Sequence, residues 1–483
     1  MNEIIKKKQV IGHFINTGVL VHKALLEDVE KNIDAYYSQL QTPSLEVKKE
    51  NNVSVVFSYV DFFKKRTVQD FVAYYNARFK SMELLLRSRP ELSSVTSISR
   101  LSPGVNVSVI GIVVNKQKTK NNSVCLDIED RSGKPVRVVI SAKTSSSSDS
   151  AALKKANALA LANDIPLDQV IGVAGRTGDN VIFADNLVLP DIPLQEEVKK
   201  SPDEAYAVVL SDTEFGSKNF MRAEFNRLIS WLRGEWGSDA LRAIASKVGY
   251  VFLVGDVVAG IGVYPRQEAE LEIKDIFEQY AAAASALSLI PSNIRIIVCA
   301  GNHDSVRLSE PQPCLDKEHA KPLYALPNVT MVSNPSLVNI HASSDFAGFN
   351  VLLYHGGSYP YYADTVDSIR SSGRPMSDRT DLVMRFLLQC RHLAPAHSST
   401  LYIPDTRKDY LVIDTVPDYL LSGHMHKSRV LNYRGVGIVC GSCWQPTTQY
   451  QQKLGHTPEP CIVPVLDLKQ RGVLLLDFKN DSK

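Results

Sequence analysis

The chain has 483 residues, 44% of them hydrophobic and 22% charged, a balance that excludes a largely disordered, collagenous or disulfide-scaffold protein. Lys plus Arg number 54 against 52 Asp plus Glu, so with a formal net charge of +2 any nucleic-acid binding must come from a local patch. Seven scattered cysteines form no disulfide framework, no apolar run reaches membrane-span length, and no secretory h-region follows the first lysines, so a cytoplasmic, non-membrane protein of several domains is expected.

In chain order, Ile4, Ile5, Ile11, Phe14, Ile15, Leu25, Leu26, Val29 and Ile33 recur at helix-like spacing and predict a small helical module over 1–40. Residues 41–97 read as a linker with a helix. The polar stretch Thr42 to Asn52 comes first, then a strand over Val53 to Tyr59 and a helix from about Val68 to Arg87. Tyr74, Tyr75, Phe79, Lys80 and Arg87 have helical spacing, which favours core packing over a nucleic-acid face.

Over 98–192 the pattern changes to five short β-rich runs: 105–114, 123–128, 135–140, 170–175 and 180–187. A helix-forming stretch, Ala151 to Ala162, falls between the third and fourth runs, where an OB-fold places its connecting helix. The serine-rich segment Thr144 to Ser150 reads as a surface loop, and Lys116, Lys118 and Lys120 as a solvated hairpin.

Residues 203–483 alternate strands and helices, predicting an α/β domain. Strands are expected at 208–210, 250–254, 294–299, 351–354, 410–413 and 419–421, and helices at 221–233, 268–288 and 381–391. Cys440 and Cys443 form a C-x-x-C with no second pair nearby, so no zinc ribbon is expected.

Several apolar runs stop at polar tips: Asp212-Thr213-Glu214, Gly255-Asp256, Gly301-Asn302-His303-Asp304, His355 and Gly423-His424-Met425-His426. Each tip alone has an ordinary explanation as a turn, a cap or a core histidine. Loops that follow α/β strands converge at one sheet edge, however, and five such tips in a row predict one binuclear metal site. Its mixed carboxylate, amide and imidazole set suits manganese, iron or zinc rather than calcium.

These tips, in this order, resemble the D-x-H, GD, GNHD, H and GHxH motifs of the calcineurin-like metallo-phosphoesterase superfamily. The flanking stretches SDTEFGSKNF (211–220), GDVVAGIGVYPRQ (255–267) and WQPTTQYQQKLGHTPEPCIVPVLDL (444–468) are similar to the small subunits of archaeal family D DNA polymerases. The resemblance implies a multidomain α/β protein with a helical module, a five-stranded OB-fold barrel and a C-terminal phosphoesterase sandwich. It implies 3′ to 5′ exonuclease proofreading by two-metal hydrolysis, with a catalytically decayed scaffold subunit as the alternative. Asp212, Glu214, Asp256 and His426 would bind one ion and Asp256, Asn302, His355 and His424 the other. Manganese is expected first, with magnesium, iron and zinc as alternatives.

His303 would protonate the leaving oxygen and Asp304 would orient it. The implied partners are the large polymerase subunit, primer-template DNA and single-stranded 3′ ends, with the sliding clamp as a further candidate, in the archaeal cytosol at the replication fork. Two departures stand out: Glu214 replaces the histidine of D-x-H, and Ala259 replaces an acidic residue usual in these subunits.

Overall fold

A computed structural model describes residues 6–8, 10, 11, 23–33, 52–61, 64–142, 149–194, 197–447 and 457–480. The expected linker at 42–51, residues 144–148 of the serine-rich segment and much of the helical module lie outside the described residues. The chain forms two compact units, Met1–Glu50 and Asn51–Lys483. In the first, the helix Lys23–Lys31 is described, Val10, Val29 and Ile33 are buried, and Lys7 pairs with Glu30. Among the described residues no helix is long and apolar enough to cross a membrane.

The second unit contains a closed barrel of β2 (Asn106–Lys118), β3 (Val124–Glu129), β4 (Pro135–Ile140), β5 (Val170–Thr177) and β6 (Val181–Val188), in the order β2-β3-β4-β6-β5. The helix Asp149–Asp164 connects β4 to β5, and β2 pairs with both β3 and β5, which gives the expected OB-fold. Alternation fills it: Val124, Leu126 and Ile128 of β3 and Val136, Val138 and Ile140 of β4 all point into one core. β2 runs four residues beyond its expected end, and Lys116 on it is not a solvated hairpin residue. Its Nζ donates to the carbonyls of Asn163 and Ile165 at 2.5 and 3.0 Å, capping the end of the Asp149–Asp164 helix.

The rest of this unit is a sandwich of two six-stranded sheets flanked by helices. One sheet has the order β10-β9-β8-β7-β16-β17, from β7 (Tyr206–Leu210), β8 (Val248–Val254), β9 (Arg295–Cys299), β10 (Val329–Met331), β16 (Ile462–Asp467) and β17 (Val473–Asp477). The other has the order β1-β11-β12-β13-β15-β14, from β1 (Val53–Ser58), β11 (Ser336–Ile340), β12 (Phe349–Leu353), β13 (Tyr419–Ser422), β14 (Arg429–Tyr433) and β15 (Val436–Cys440). Thus β1, from the 41–97 segment, is an edge strand of this sheet, antiparallel to β11.

β8 shows why a central strand reads as an unbroken apolar run. Tyr250, Phe252 and Val254 pack between the sheets, while Val251 and Leu253 pack under the outer helices with Phe225, Trp231 and Tyr280. Strands β7, β8 and β9 are mutually parallel in one sheet, and β12, β13 and β15 in the other.

Two expected elements differ. The helix expected from 268 begins at Ile276, because Asp275 caps it by accepting from the amides of Phe277 and Glu278. The apolar spacing before it belongs to a loop tied to the first motif, with the Glu272 amide donating to the Gly216 carbonyl at 2.8 Å. At 410–413 there is no strand; the buried Asp409 carboxylate accepts the Leu411 amide and turns the chain.

The same Asp409 joins the helix Val68–Arg87 to the sandwich. Arg78, 2% exposed, donates Nε to Asp409 Oδ2 at 2.7 Å, and Tyr74 stacks on Tyr402, so Tyr74 and Phe79 pack as expected while Lys80 and Arg87 are exposed. His392 Nε2 lies 2.8 Å from Asp409 Oδ2 while its Nδ1 accepts the Ala394 amide, a pattern only the neutral imidazole can make. Burial, reinforced by the Arg78 charge, pushes His392 down to about 4.

A depressed folded pKa gives stability that is present above the unfolded value near 6.5 and lost as pH falls toward 4. Thermal melts from pH 7.5 to 4.5 should therefore show a falling midpoint, and His392→Asn should flatten that slope. A slope unchanged in the variant would show that another group carries the acid sensitivity.

Candidate metal centre

The five tips follow the C-terminal ends of parallel strands in both sheets: Asp212 and Glu214 after β7, Asp256 after β8, Asn302 and His303 after β9, His355 after β12, and His424 and His426 after β13. The parallel strands point the same way, so their ends meet at one edge. Asp212, Glu214, Asp256, His424 and His426 all have positive φ, between 45° and 69°. A left-handed backbone costs about 1–2 kcal/mol for each non-glycine residue, and it is concentrated here where side chains must turn into a common space.

Gly255 and Gly301 are required by close approach. A Cβ on Gly255 would lie 2.3 Å from His355 Nδ1, and one on Gly301 would lie 2.1 Å from Asp256 Oδ1. Backbone bonds fix the tips to one another: the Glu214 amide donates to the Asp256 carbonyl at 3.0 Å, the His303 amide to Asp256 Oδ1 at 2.8 Å, and the His424 amide to Asp212 Oδ2 at 3.0 Å.

The side chains fall into two adjoining groups. In one, His426 Nε2 lies 3.3 Å from Asp212 Oδ1 and 3.5 Å from Glu214 Oε1. In the other, His355 Nε2 lies 3.2 Å from Asp256 Oδ2 and 3.1 Å from Asn302 Oδ1. Ligand atoms of Asp256, His355 and His424 lie within 4.8 Å of one another, a spacing that can hold a metal ion. His355 Nδ1 donates to the Val254 carbonyl at 2.9 Å, which leaves Nε2 facing the site.

The electrostatics favour a cation. Asp212, Glu214 and Asp256 are 0%, 2% and 1% exposed, so three carboxylates share one dry pocket. Glu214 Oε1 is buried without a hydrogen-bond partner, and burial pushes the Glu214 carboxyl up. Burial opposes charge on His355, but the Asp256 carboxylate outweighs it and holds the imidazole up at about 10. Burial, with His355 beside it, drives His424 down to about 3 and keeps it neutral. Protons thus partly balance the carboxylates, and a divalent ion binding here displaces them.

His303 sits at the rim. Its Nε2 is 3.9 Å from Asp256 Oδ2, and its Nδ1 donates to the Ala259 carbonyl at 3.0 Å. Asp304, expected to orient His303, instead accepts the amides of Gly301, Val257 and Val258 at 2.9 to 3.3 Å, along with the Tyr280 hydroxyl. It staples the loop after β9 to the loop after β8. The orienting acceptor is the main chain of Ala259, whose carbonyl also takes a bond from Gln267 Nε2 at 2.7 Å. A carbonyl carries no side-chain signature, so no sequence pattern could have marked it.

Two further polar groups escaped sequence reading. Gln445 Nε2 donates to Glu214 Oε2, and Ser217 Oγ donates to Gln445 Oε1 at 3.0 Å. Both lie in stretches that resemble the family, but neither is a metal-ligating type.

Residues 207–428 match the calcineurin-like phosphoesterase family. Over 413 residues the chain is 36% identical to the DNA polymerase II small subunit of Methanothermobacter thermautotrophicus, covering 85% of this chain and 80% of that protein. Over 472 residues it is 35% identical to the DNA polymerase II small subunit of Archaeoglobus fulgidus, covering 96% and 89%. The corresponding protein of Thermoplasma acidophilum is 31% identical over 495 residues, covering 98% and 93%. With identities above 30% sustained across four-fifths or more of these proteins, and with the phosphoesterase tips gathered at one edge, the chain belongs to the family of DNA polymerase II small subunits.

Proposed function

We propose that this chain is the proofreading subunit of an archaeal family D replicative polymerase, removing nucleotides from 3′ ends by metal-dependent hydrolysis while bound to the large polymerase subunit in the cytosol. The observation that carries the reading is the gathering of Asp212, Glu214, Asp256, Asn302, His355, His424 and His426 at one edge with His303 at its rim. Asp212, Glu214, Asp256 and His426 would hold a first divalent ion, and Asp256, Asn302, His355 and His424 a second, with Asp256 common to both sets. When bound, such a pair neutralises charge at phosphorus and supplies an acidified water as nucleophile, with manganese expected first.

The chain's own residues set the proton transfer. The Ala259 carbonyl engages the Nδ1–H of His303, which leaves Nε2 to carry the proton given to the departing 3′ oxygen. Asp304 and Tyr280 hold the loop so that this imidazole keeps its place beside Asp256. Gly301 is part of the same device. Gly301→Ala should push the Asp256 carboxylate aside and weaken manganese binding by about tenfold to a hundredfold, read by titration. Wild-type affinity in that variant would show that the loop can yield without moving Asp256.

The test is a nuclease assay of the purified chain, alone and with the large subunit, on a 5′-labelled primer with a matched or mismatched 3′ end. Shortening from the 3′ end with manganese or magnesium, faster on the mismatch, is the expected result. No shortening with either ion in either preparation sinks the reading.

A further inference from the structure

Glu214 stands where the related motif has histidine, and an imidazole and a carboxylate do not fill a coordination shell alike. An imidazole offers one nitrogen. A carboxylate can grip with one oxygen or two, and a two-oxygen grip closes a position that a catalytic site must leave open.

Here the two Glu214 oxygens are distinguished. Oε2 accepts from Gln445 Nε2, whereas Oε1 has no hydrogen-bond partner and lies 3.5 Å from His426 Nε2. Gln445 is 3% exposed and is held at its other end, because its Oε1 accepts from Ser217 Oγ at 3.0 Å. Its backbone neighbour is anchored too: the Trp444 amide donates to the Asp212 carbonyl at 3.2 Å, and the Trp444 carbonyl accepts the Met221 amide at 2.8 Å. The amide therefore cannot follow Glu214 if that carboxylate turns.

We infer that Gln445, fixed by Ser217, is a positioning residue that restricts Glu214 to one-oxygen coordination of the first ion, so that the glutamate fills the single place an imidazole would fill. This rests on the two-ion reading of the site. It assigns Gln445 and Ser217 no contact with substrate or ion. Their effect reaches the first ion through Glu214 alone, and the second group, Asp256, Asn302, His355 and His424, is untouched.

The test is titration of the full-length, chelator-treated chain with manganese chloride, followed by calorimetry and by electron paramagnetic resonance, after melts confirm folding. Wild type should bind two ions and give the spectrum of a spin-coupled pair. Gln445→Met frees the second Glu214 oxygen and should change the affinity for one ion only, by about tenfold to a hundredfold, so that an uncoupled manganese signal replaces the pair at intermediate concentration. Ser217→Ala should show a smaller change at the same ion. The double variant Glu214→Ala/Gln445→Met should match Glu214→Ala, because an effect routed through Glu214 disappears with it.

Wild-type affinity and coupling in a folded Gln445→Met overturn the inference while the two-ion reading stands, as does equal loss of both ions. Should Gln445→Met not fold, Ser217→Ala decides, and unchanged affinity there overturns it. A wild type that binds no manganese defeats the two-ion reading itself, and the inference with it.

Discussion

Asp256→Ala is expected to release both ions together and to lower hydrolysis on the order of 10⁴-fold or more, since residues acting as a unit lose most of its effect when one is removed. Asp256 is the carboxylate that the two proposed ions would share. Its Oδ2 is 3.2 Å from His355 Nε2 and 3.9 Å from His303 Nε2, and its Oδ1 holds the His303 amide. In the proposed site its removal would take one ligand from each ion, and it would free the His303 amide that Asp256 Oδ1 holds. Manganese titration and the 3′-end assay measure the two effects separately. One ion retained at wild-type affinity would mean that Asp256 serves a single ion.

His303→Ala should behave differently, losing about 10²- to 10⁴-fold in rate, the range of a general acid, with both ions still bound. The imidazole side chain is 14% exposed at the rim, and its Nδ1 is bonded to the Ala259 carbonyl. A nitrophenyl phosphodiester, whose leaving group departs without a proton, separates an acid from a binding group. The loss should nearly vanish with that substrate and persist with DNA. Equal losses on both substrates would assign His303 to binding, and loss of manganese would make it a ligand.

The contrast between these two residues follows from where their bonds go. Asp212, Glu214, Asp256, His424 and His426 turn inward from strand ends through strained backbone, so they are placed by the sheets. His303 is placed by a loop that Asp304 holds, and its acceptor Ala259 lies in a neighbouring loop that Gln267 and Gln279 hold, all three buried and bonded to main chain. Substitutions at those supports should act on the acid more than on the ions.

Much of this architecture is legible in the residues alone because apolar periodicity survives burial. β8 is apolar on both faces and reads as a central strand, β3 and β4 alternate and read as barrel walls, and each polar tip follows its strand directly. The ligating types at those tips are chemically distinctive, so the candidate site is readable too. Whatever depends on a main-chain atom or a common polar side chain is silent in sequence: the Ala259 carbonyl that orients His303, the Gln445 amide on Glu214, and the delayed start of the helix at Ile276.

Long-range placement is silent for the same reason. Lys116 looks like a phosphate contact or a solvated lysine until the helix end it caps is brought beside it. The sequence by itself determined the order of elements, the barrel and the residues able to bind metal, because these follow from local pattern and side-chain chemistry. Only the tertiary structure decided which oxygen of Glu214 is free, what orients His303, and that Asp304 staples loops, because each depends on a partner more than 40 residues away whose distance no periodicity encodes.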